Sequence, residues 1–151
     1  MQIELVRMTL DHLDDVMRIE EECFLTPWSR KSFIDELRKN PRAIYLVAMV
    51  DGRVAGYGGM WHVINEGHIT NVAVAENKRR CGVGDAIVKE IERIARELDI
   101  IGLTLEVRMN NASAQRLYFR NGFKAEGIRK NYYSDTREDA IVMWKMFTTN
   151  E

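Results

Sequence analysis

Residues 78–84 read Lys-Arg-Arg-Cys-Gly-Val-Gly and lie between an apolar strand pattern and an amphipathic helix pattern. The two glycines let the backbone turn tightly and let a ligand approach it, because they carry no Cβ atom. The amides at a helix start carry roughly half a positive charge, and the basic side chains just upstream add to it. The stretch predicts a diphosphate-binding loop. A glycine-rich helix start beside a solvated basic run is the alternative.

This loop matches neither of two common nucleotide-binding patterns. Ile87 stands where the dinucleotide fingerprint has its third glycine, and the Gly-Lys-Ser/Thr of a Walker loop is absent from the stretch. The sequence therefore argues against a nucleotide-hydrolysing enzyme and leaves other diphosphate ligands open.

The segments around the loop predict an α/β fold. Apolar alternation and apolar runs predict strands over residues 3–8, 43–50, 53–63, 68–74, 103–107, 123–130 and 140–147. Helical spacing predicts helices that begin at Thr9, at Ser29, near residue 84 and at Asn110 or Asn111, the third carrying Ile87, Ile91, Ile94 and Leu98 on one face. Asp51-Gly52 predicts a type I′ hairpin turn, and Asn65-Glu66-Gly67 a second turn. The order is β-α-α-β-β-β-α-β-α-β-β, in one domain over residues 1–151.

The composition limits the kinds of binding partner and the cellular compartment that we expect for this protein. Lys and Arg total 22 against 23 Asp and Glu, so the net charge of −1 gives no global attraction to nucleic acid or membranes. Cys23 and Cys81 form no CxxC pair, and the 3 histidines complete no zinc pattern. No secretory or membrane-spanning segment is evident, so we expect a cytoplasmic protein with reduced thiols and no metal.

Several motifs resemble those of one protein family and occur along the chain in the same order. Residues 79–84 match the Arg/Gln-x-x-Gly-x-Gly/Ala signature of GNAT acetyltransferases. Further stretches are similar to the RimI branch of that family: Pro27-Trp28-Ser29, residues 105–108, 111–114, 117–118, 121–123, 131–133 and 138–143. The resemblance spans nearly the whole chain. It implies the GNAT fold, a mixed and mostly antiparallel central sheet flanked by helices.

The resemblance also implies acetyl-CoA as co-substrate. In the family, the loop holds the pyrophosphate and the backbone of the preceding strand pairs with the pantetheine arm. The cofactor-binding residues that it implies are Val72, Val74, Arg79, Arg80, Cys81, Gly82, Val83, Gly84, Asn111 and Tyr118. Asn111 also suits a helix cap, and the two roles are compatible.

Acetyl transfer to an amine needs a base for the amine and a proton for the departing thiolate. An α-amino group has a pKa of about 7.7–8.0 and a lysine amine about 10.4, so a carboxylate suits an N-terminus better. Glu106 matches the family's base and Tyr118 its general acid. From the residues alone, Glu106 could instead pair with Arg108, and Tyr118 could simply pack in the core.

The acceptor site that the resemblance implies is formed by Trp28, Asn71, Tyr132 and Tyr133. Aromatic packing is the alternative for Trp28 and for the two tyrosines. His62 and His68 are expected to be ordinary strand residues, and Cys81 a small loop residue rather than a nucleophile.

The sequence thus predicts a RimI-like protein N-α-acetyltransferase that works by direct transfer in a ternary complex, as a monomer or weak dimer. The acceptor would be a protein N-terminus, with the N-terminal alanine of a ribosomal protein as one candidate. A GNAT enzyme acting on lysine or a small amine is the alternative. A non-catalytic acyl-CoA-binding regulatory domain is another, which the presence of both Glu106 and Tyr118 disfavours. Residues 135–137 depart from the family pattern beside the acceptor site.

Overall fold

The predicted order of strands and helices is confirmed in a computed structural model, which describes residues 1–147. The strands are β1 Glu4–Arg7, β2 Ala43–Val50, β3 Arg53–Val63, β4 Glu66–Val74, β5 Gly102–Arg108, β6 Lys124–Arg129 and β7 Ala140–Met146. The helices are α1 Leu13–Cys23, α2 Arg30–Lys39, α3 Val83–Glu97 and α4 Ala112–Arg120, with short 3₁₀ turns at Leu10–His12 and Glu76–Lys78.

The seven described strands join one sheet in the order β1-β2-β3-β4-β5-β7-β6. Neighbouring strands are antiparallel except β4 and β5, so the predicted mixed, mostly antiparallel sheet is confirmed. The parallel pair is short, since Glu66–His68 pairs with Gly102–Thr104 and the described pairing stops there.

A bulge in β4 helps to separate the two parallel strands. The β3 residues Gly59 and Met60 pair with Asn71 and Ile69, which leaves Thr70 as an extra residue in β4. A bulge of this kind bends its strand and increases the local twist. Residues 69–74 of β4 and 105–108 of β5 therefore border an opening in the sheet, called the wedge below.

Helices cover both faces of the sheet. On one face, α1 and α2 bury Val16, Ile19 and Phe33 against β3 and its neighbours. On the other face, Ile87, Ile91 and Ile94 of α3 are at most 5% exposed, and each such burial stabilises the fold by about 1.5–3 kcal/mol. Leu103, Leu105 and Val107 of β5 belong to this second cluster, as does Tyr118 of α4. Because side chains alternate along a strand, Glu106 faces the α1 and α2 side.

The first predicted turn is confirmed and the second is displaced. Asp51 and Gly52 both have positive φ, 53° and 78°, as a type I′ turn requires. The second turn lies one residue earlier than predicted, because Val63 pairs with Glu66 and Ile64 takes a left-handed φ of 57°. A β-branched residue rarely adopts that conformation, so the pattern pointed to Asn-Glu-Gly instead.

Two helix boundaries also differ from the prediction. Leu98 was expected on the apolar face of α3, but it follows the helix end at Glu97 and is exposed. The chain leaves the helix there because Asp99 is left-handed, with a φ of 59°. At the other boundary, the first turn after Thr9 is a 3₁₀ turn, and α1 begins only at Leu13.

Candidate active site

The wedge opens into a pocket of about 570 Å³. Its wall is formed by the end of α1 and the following loop, by β4, β5 and the start of α4, and by the connection between β6 and β7. The predicted site residues in this wall are Trp28, Asn71, Val72, Glu106, Asn111, Tyr118 and Tyr133. Residues that the sequence separates by more than 100 positions thus meet in one cavity.

Glu106 extends from β5 into the pocket wall, with 11% of its side chain exposed. Its Oε1 lies 2.7 Å from Nε2 of His68, and its Oε2 lies 3.7 Å from Nε of Arg129. The hydrogen bond with His68 holds the pKa of the Glu106 carboxyl below its ordinary value; burial opposes this effect and Arg129 adds to it. Glu106 is therefore ionised at neutral pH and can accept a proton.

The alternative pairing of Glu106 with Arg108 is wrong. Arg108 donates to Asp135 at 2.7 and 3.2 Å and to Glu138 at 3.4 Å. Its guanidinium also lies 4.0 Å from the ring centroid of Tyr133. Arg108 thus points to the β6–β7 connection, whose carboxylates sequence spacing could not place, and Glu106 pairs with His68 and Arg129 instead.

His68 is a site residue that sequence reasoning missed. The sequence predicts an ordinary strand residue at this position, but β4 places His68 directly beside β5, where it pairs with Thr104. Its ring contacts that of Trp61 edge-on at 6.2 Å between centroids. His68 is outside the pocket wall, so it can orient Glu106 and tune its pKa without meeting a ligand there.

Tyr118 reaches the same pocket from α4. The residue is 6% exposed and its ring packs edge-on against Phe123 at 5.5 Å, so the core-packing alternative also holds. Burial raises the pKa of its phenol, and the nearby Tyr133 adds to this. Within residues 1–147, the Tyr118 hydroxyl makes no hydrogen bond. It remains protonated and can donate one to a ligand.

Three of the four residues predicted for the acceptor site line the pocket, and the fourth does not. Trp28 lines the pocket and packs on Phe33 at 5.2 Å, so both of its predicted roles are compatible with its position. Asn71 lines the pocket from β4 and accepts a hydrogen bond from Thr70 at 3.0 Å. Tyr133 lines the pocket, whereas Tyr132 lies outside its wall and is 41% exposed.

A hydrogen bond joins the two loops at this end of the pocket. Thr26 Oγ1, in the α1–α2 loop, donates to Asp135 Oδ2 in the β6–β7 connection at 2.9 Å. The bonds from Arg108, with a contribution from Thr26, lower the pKa of Asp135 to about 2. Asp135 therefore stays ionised, and able to accept these hydrogen bonds, through the physiological pH range.

The predicted phosphate loop connects β4 to α3 outside the pocket wall. Gly82 is the residue before α3 with a φ of 84°, and Arg80 has a φ of 62°, so two residues of the loop are left-handed. Glycine adopts this conformation without steric cost, as Gly82 requires. A Cβ atom at Gly82 would meet nothing within 4 Å, whereas one at Gly84 would lie 3.4 Å from Leu117.

The side chains of the loop differ in their availability to an anion. Arg79 folds back, with Nε 3.3 Å from the Val74 carbonyl and a terminal nitrogen 3.3 Å from Cys23 Sγ. Val83 is buried in the core, so only its main chain could meet a ligand. Arg80 and Cys81 are exposed.

Asn111 caps a helix as predicted, and its position is compatible with its predicted contact with the cofactor. It is the residue before α4, and its side chain accepts the Ala114 amide at 3.1 Å. It also lies in the pocket wall.

Over residues 1–147, no group of three or more His, Cys, Asp and Glu is arranged to hold a metal ion. The helices in the same part of the chain are too short or too polar to cross a membrane.

Comparisons with known proteins identify the family of this chain. Residues 13–123 match the model of the acetyltransferase (GNAT) family. A Bacillus subtilis (strain 168) protein, a candidate ribosomal protein bS18-alanine N-acetyltransferase by its name, is 43% identical over 144 residues, which cover 95% of this chain and 94% of the relative. The N-alpha-acetyltransferase of Sulfurisphaera tokodaii is 30% identical over 147 residues, covering 89% of this chain and 87% of that one.

The fold is shared with a solved relative of similar length. The ribosomal-protein-S18-alanine N-acetyltransferase from Escherichia coli superposes with a TM-score of 0.88 at 29% identity, covering 99% of this chain and 97% of that one. With a family model that matches most of its length and this agreement in sequence and fold, the chain belongs to the GNAT family of N-acetyltransferases, as its motifs predict.

Proposed function

We propose that this chain transfers the acetyl group of acetyl-CoA directly to the α-amine at a protein N-terminus, within a ternary complex. The observation that carries the proposal is that Glu106 and Tyr118 line the same pocket in the wedge. Glu106 reaches it from the α1 and α2 face of the sheet, and Tyr118 reaches it from the helices on the other face. A base and an acid can thus act on opposite sides of one thioester.

The cofactor would enter along the open edge of β4. Beyond His68 the strand no longer pairs with β5, so its edge can accept the amides of an extended pantetheine arm along Val72 and Val74. The pyrophosphate would meet the amides at the start of α3, between Gly82 and Gly84, with Arg80 exposed nearby.

The chemistry needs two proton transfers. The amine nitrogen attacks the thioester carbonyl carbon, forming the N–C bond, and the C–S bond then breaks. The amine proton passes through water to the Glu106 carboxylate, and the Tyr118 hydroxyl donates its proton to the departing thiolate. Solvent reprotonates Tyr118 and takes the proton from Glu106, which restores both groups.

The acceptor proposal rests on the relatives' names and on the aromatic wall. Two relatives are named as ribosomal protein S18-alanine N-acetyltransferases and one as an N-alpha-acetyltransferase. Trp28 and Tyr133 would line the path of an extended N-terminus. A ribosomal protein in the cytoplasm is the candidate acceptor, and a monomer or weak dimer stays our prediction.

The test compares two peptides of identical sequence with one free amine each. One has a free N-terminus and a blocked lysine, and the other a blocked N-terminus and a free lysine. Mass spectrometry should find the first acetylated far faster, and Tyr118→Phe should slow that reaction while acetyl-CoA still binds. Equal rates on the two peptides would contradict the proposal and favour a lysine acetyltransferase.

A further inference from the structure

A buried carboxylate in the pocket wall, that of Glu20, has no part in the proposed proton transfers. Glu20 lies on α1 and is 2% exposed, although carboxylates are rarely buried without partners. Its Oε2 accepts a hydrogen bond from the main-chain N–H of Trp28 at 2.8 Å, and its Oε1 accepts one from the Tyr57 hydroxyl. Both oxygens are therefore engaged by donors from other segments.

Aromatic contacts reinforce this attachment. Phe33 of α2 packs against the Trp28 ring at 5.2 Å and edge-on against the Tyr57 ring at 5.8 Å. Glu20 joins the same two residues through their polar groups. Trp28, at the end of the α1–α2 loop, is thus held from both its main chain and its side chain.

The loop held in this way forms part of the pocket wall. Phe24, Leu25, Thr26 and Trp28 all line the pocket. Thr26 is bonded to Asp135 across the pocket, while Leu25 is 73% exposed. The loop is therefore attached to the core at Trp28, where Phe24 packs as well, and to the opposite loop at Thr26.

We infer that Glu20 is a positioning residue that fixes the α1–α2 loop as the acceptor-side wall of the pocket. This inference rests on the proposed function for its effect on the acceptor. Glu20 acts through Trp28 rather than on the reacting atoms. Its loss is expected to weaken acceptor binding and to leave acetyl-CoA binding, on the β4 and α3 side, unchanged.

Two variants of similar size separate positioning from charge. Glu20→Met cannot accept either hydrogen bond, whereas Glu20→Gln can accept the Trp28 amide and donate to the Tyr57 oxygen. Glu20→Met should raise the KM for the N-terminal peptide on the order of tenfold, because small displacements at a binding wall are costly. The KM of Glu20→Met for acetyl-CoA should stay unchanged. The peptide KM of Glu20→Gln should stay within about threefold of the wild-type value, because a change of that size corresponds to no more than the free energy of a single hydrogen bond.

A destabilised control distinguishes positioning from general loss of stability. Leu13→Ala removes a buried side chain at the far end of α1, away from the loop. It should lower Tm and leave the peptide KM unchanged. An unchanged peptide KM in Glu20→Met, or the same rise in Leu13→Ala at equal loss of Tm, would overturn the inference.

Amide exchange of the wild type tests the attachment without a variant. The Trp28 amide, bonded to a buried carboxylate, should exchange much more slowly than the amide of the exposed Leu25. Equal exchange at the two positions would overturn the inference even if Glu20→Met fails to fold. If the wild type acetylates no N-terminal peptide, the proposed function fails, and slow Trp28 exchange still supports the attachment of the loop.

Discussion

The proposed cofactor-binding loop and the proposed acceptor end of the wedge are built from different parts of the chain. Residues 79–84 are contiguous and offer main-chain amides and two left-handed residues, Arg80 and Gly82. At the acceptor end, Arg108, Asp135 and Thr26 meet through side chains, and the Thr26–Asp135 bond joins residues 109 positions apart. A site made of main-chain amides depends on the backbone conformation, so a substitution that adds side-chain atoms should weaken ligand binding there. A site made of side chains depends on particular polar groups, so a substitution that removes one of them should weaken ligand binding there.

The largest effect is expected where the two ends meet, at Glu106. Glu106→Gln should lower kcat by about 10²–10⁴-fold, as for a positioned general base, while acetyl-CoA still binds. The rate should recover partly above a pH of about 8, because more of the α-amine is then neutral without help. Steady-state kinetics over pH would measure both effects.

Glu126→Gln provides a matched control, because this exposed carboxylate lies on β6 away from the pocket wall. It should turn over at the wild-type rate. A Glu106→Gln enzyme as fast as Glu126→Gln would remove Glu106 from the reaction.

At the cofactor end, Gly84→Val should weaken acetyl-CoA binding by about tenfold, or about 1.4 kcal/mol. A Cβ atom at this position already touches Leu117, so the further methyl groups must displace the loop. Gly84→Ala adds only that contact and should bind acetyl-CoA nearly as well as the wild type. Calorimetric titration of both folded variants would show the difference, and equal affinities would exclude the loop from the binding site.

At the acceptor end, Tyr133→Phe should lower kcat/KM for the peptide several-fold, since one neutral hydrogen bond is worth about 0.5–1.5 kcal/mol. The ring should keep its stacking under Arg108. Tyr132→Phe should have a smaller effect, because Tyr132 lies outside the pocket wall. Peptide kinetics of the two variants would test this order, and a larger effect at Tyr132 would reverse the assignment.

The smallest effect at neutral pH is expected from His68→Phe, which keeps the ring beside Trp61 and removes the hydrogen bond to Glu106. That bond lowers the pKa of Glu106, so its loss should raise the pKa and move the acid limb of the kcat/KM profile to higher pH. At neutral pH Glu106 should remain largely ionised, so the rate should change little. An acid limb that stays in place or moves to lower pH would show that another group controls it.

The features that the sequence predicted correctly depend on neighbouring residues. Asp51-Gly52 specifies its own turn, and the glycines of residues 79–84 give the tight turn before α3, where Gly82 is left-handed. Asn111 caps the helix that follows it, and the alternation along β5 gives the face of Glu106. Each follows from local backbone geometry, which a short pattern can encode.

The features that it missed depend on how distant segments pack. His68 reaches Glu106 across 38 positions, because β4 and β5 are parallel neighbours before they separate. Arg108 turns to Asp135 because the β6–β7 connection folds over it. Glu20 carries no distinguishing signal in the sequence of an acidic helix, and only its burial against Tyr57 and Trp28 separates it from its exposed neighbour Glu21.

The central claim is that one thioester lies between Glu106 and Tyr118 with an N-terminal amine beside it. The most direct measurement is a crystal structure with a conjugate that joins coenzyme A to the N-terminus of a peptide. The joining carbon should lie in the wedge between β4 and β5, with the Tyr118 hydroxyl within hydrogen-bond reach of the sulfur and the peptide passing Trp28 and Tyr133. A conjugate bound with its joining atoms outside the wedge, or with the peptide leaving away from both aromatic residues, would contradict the claim.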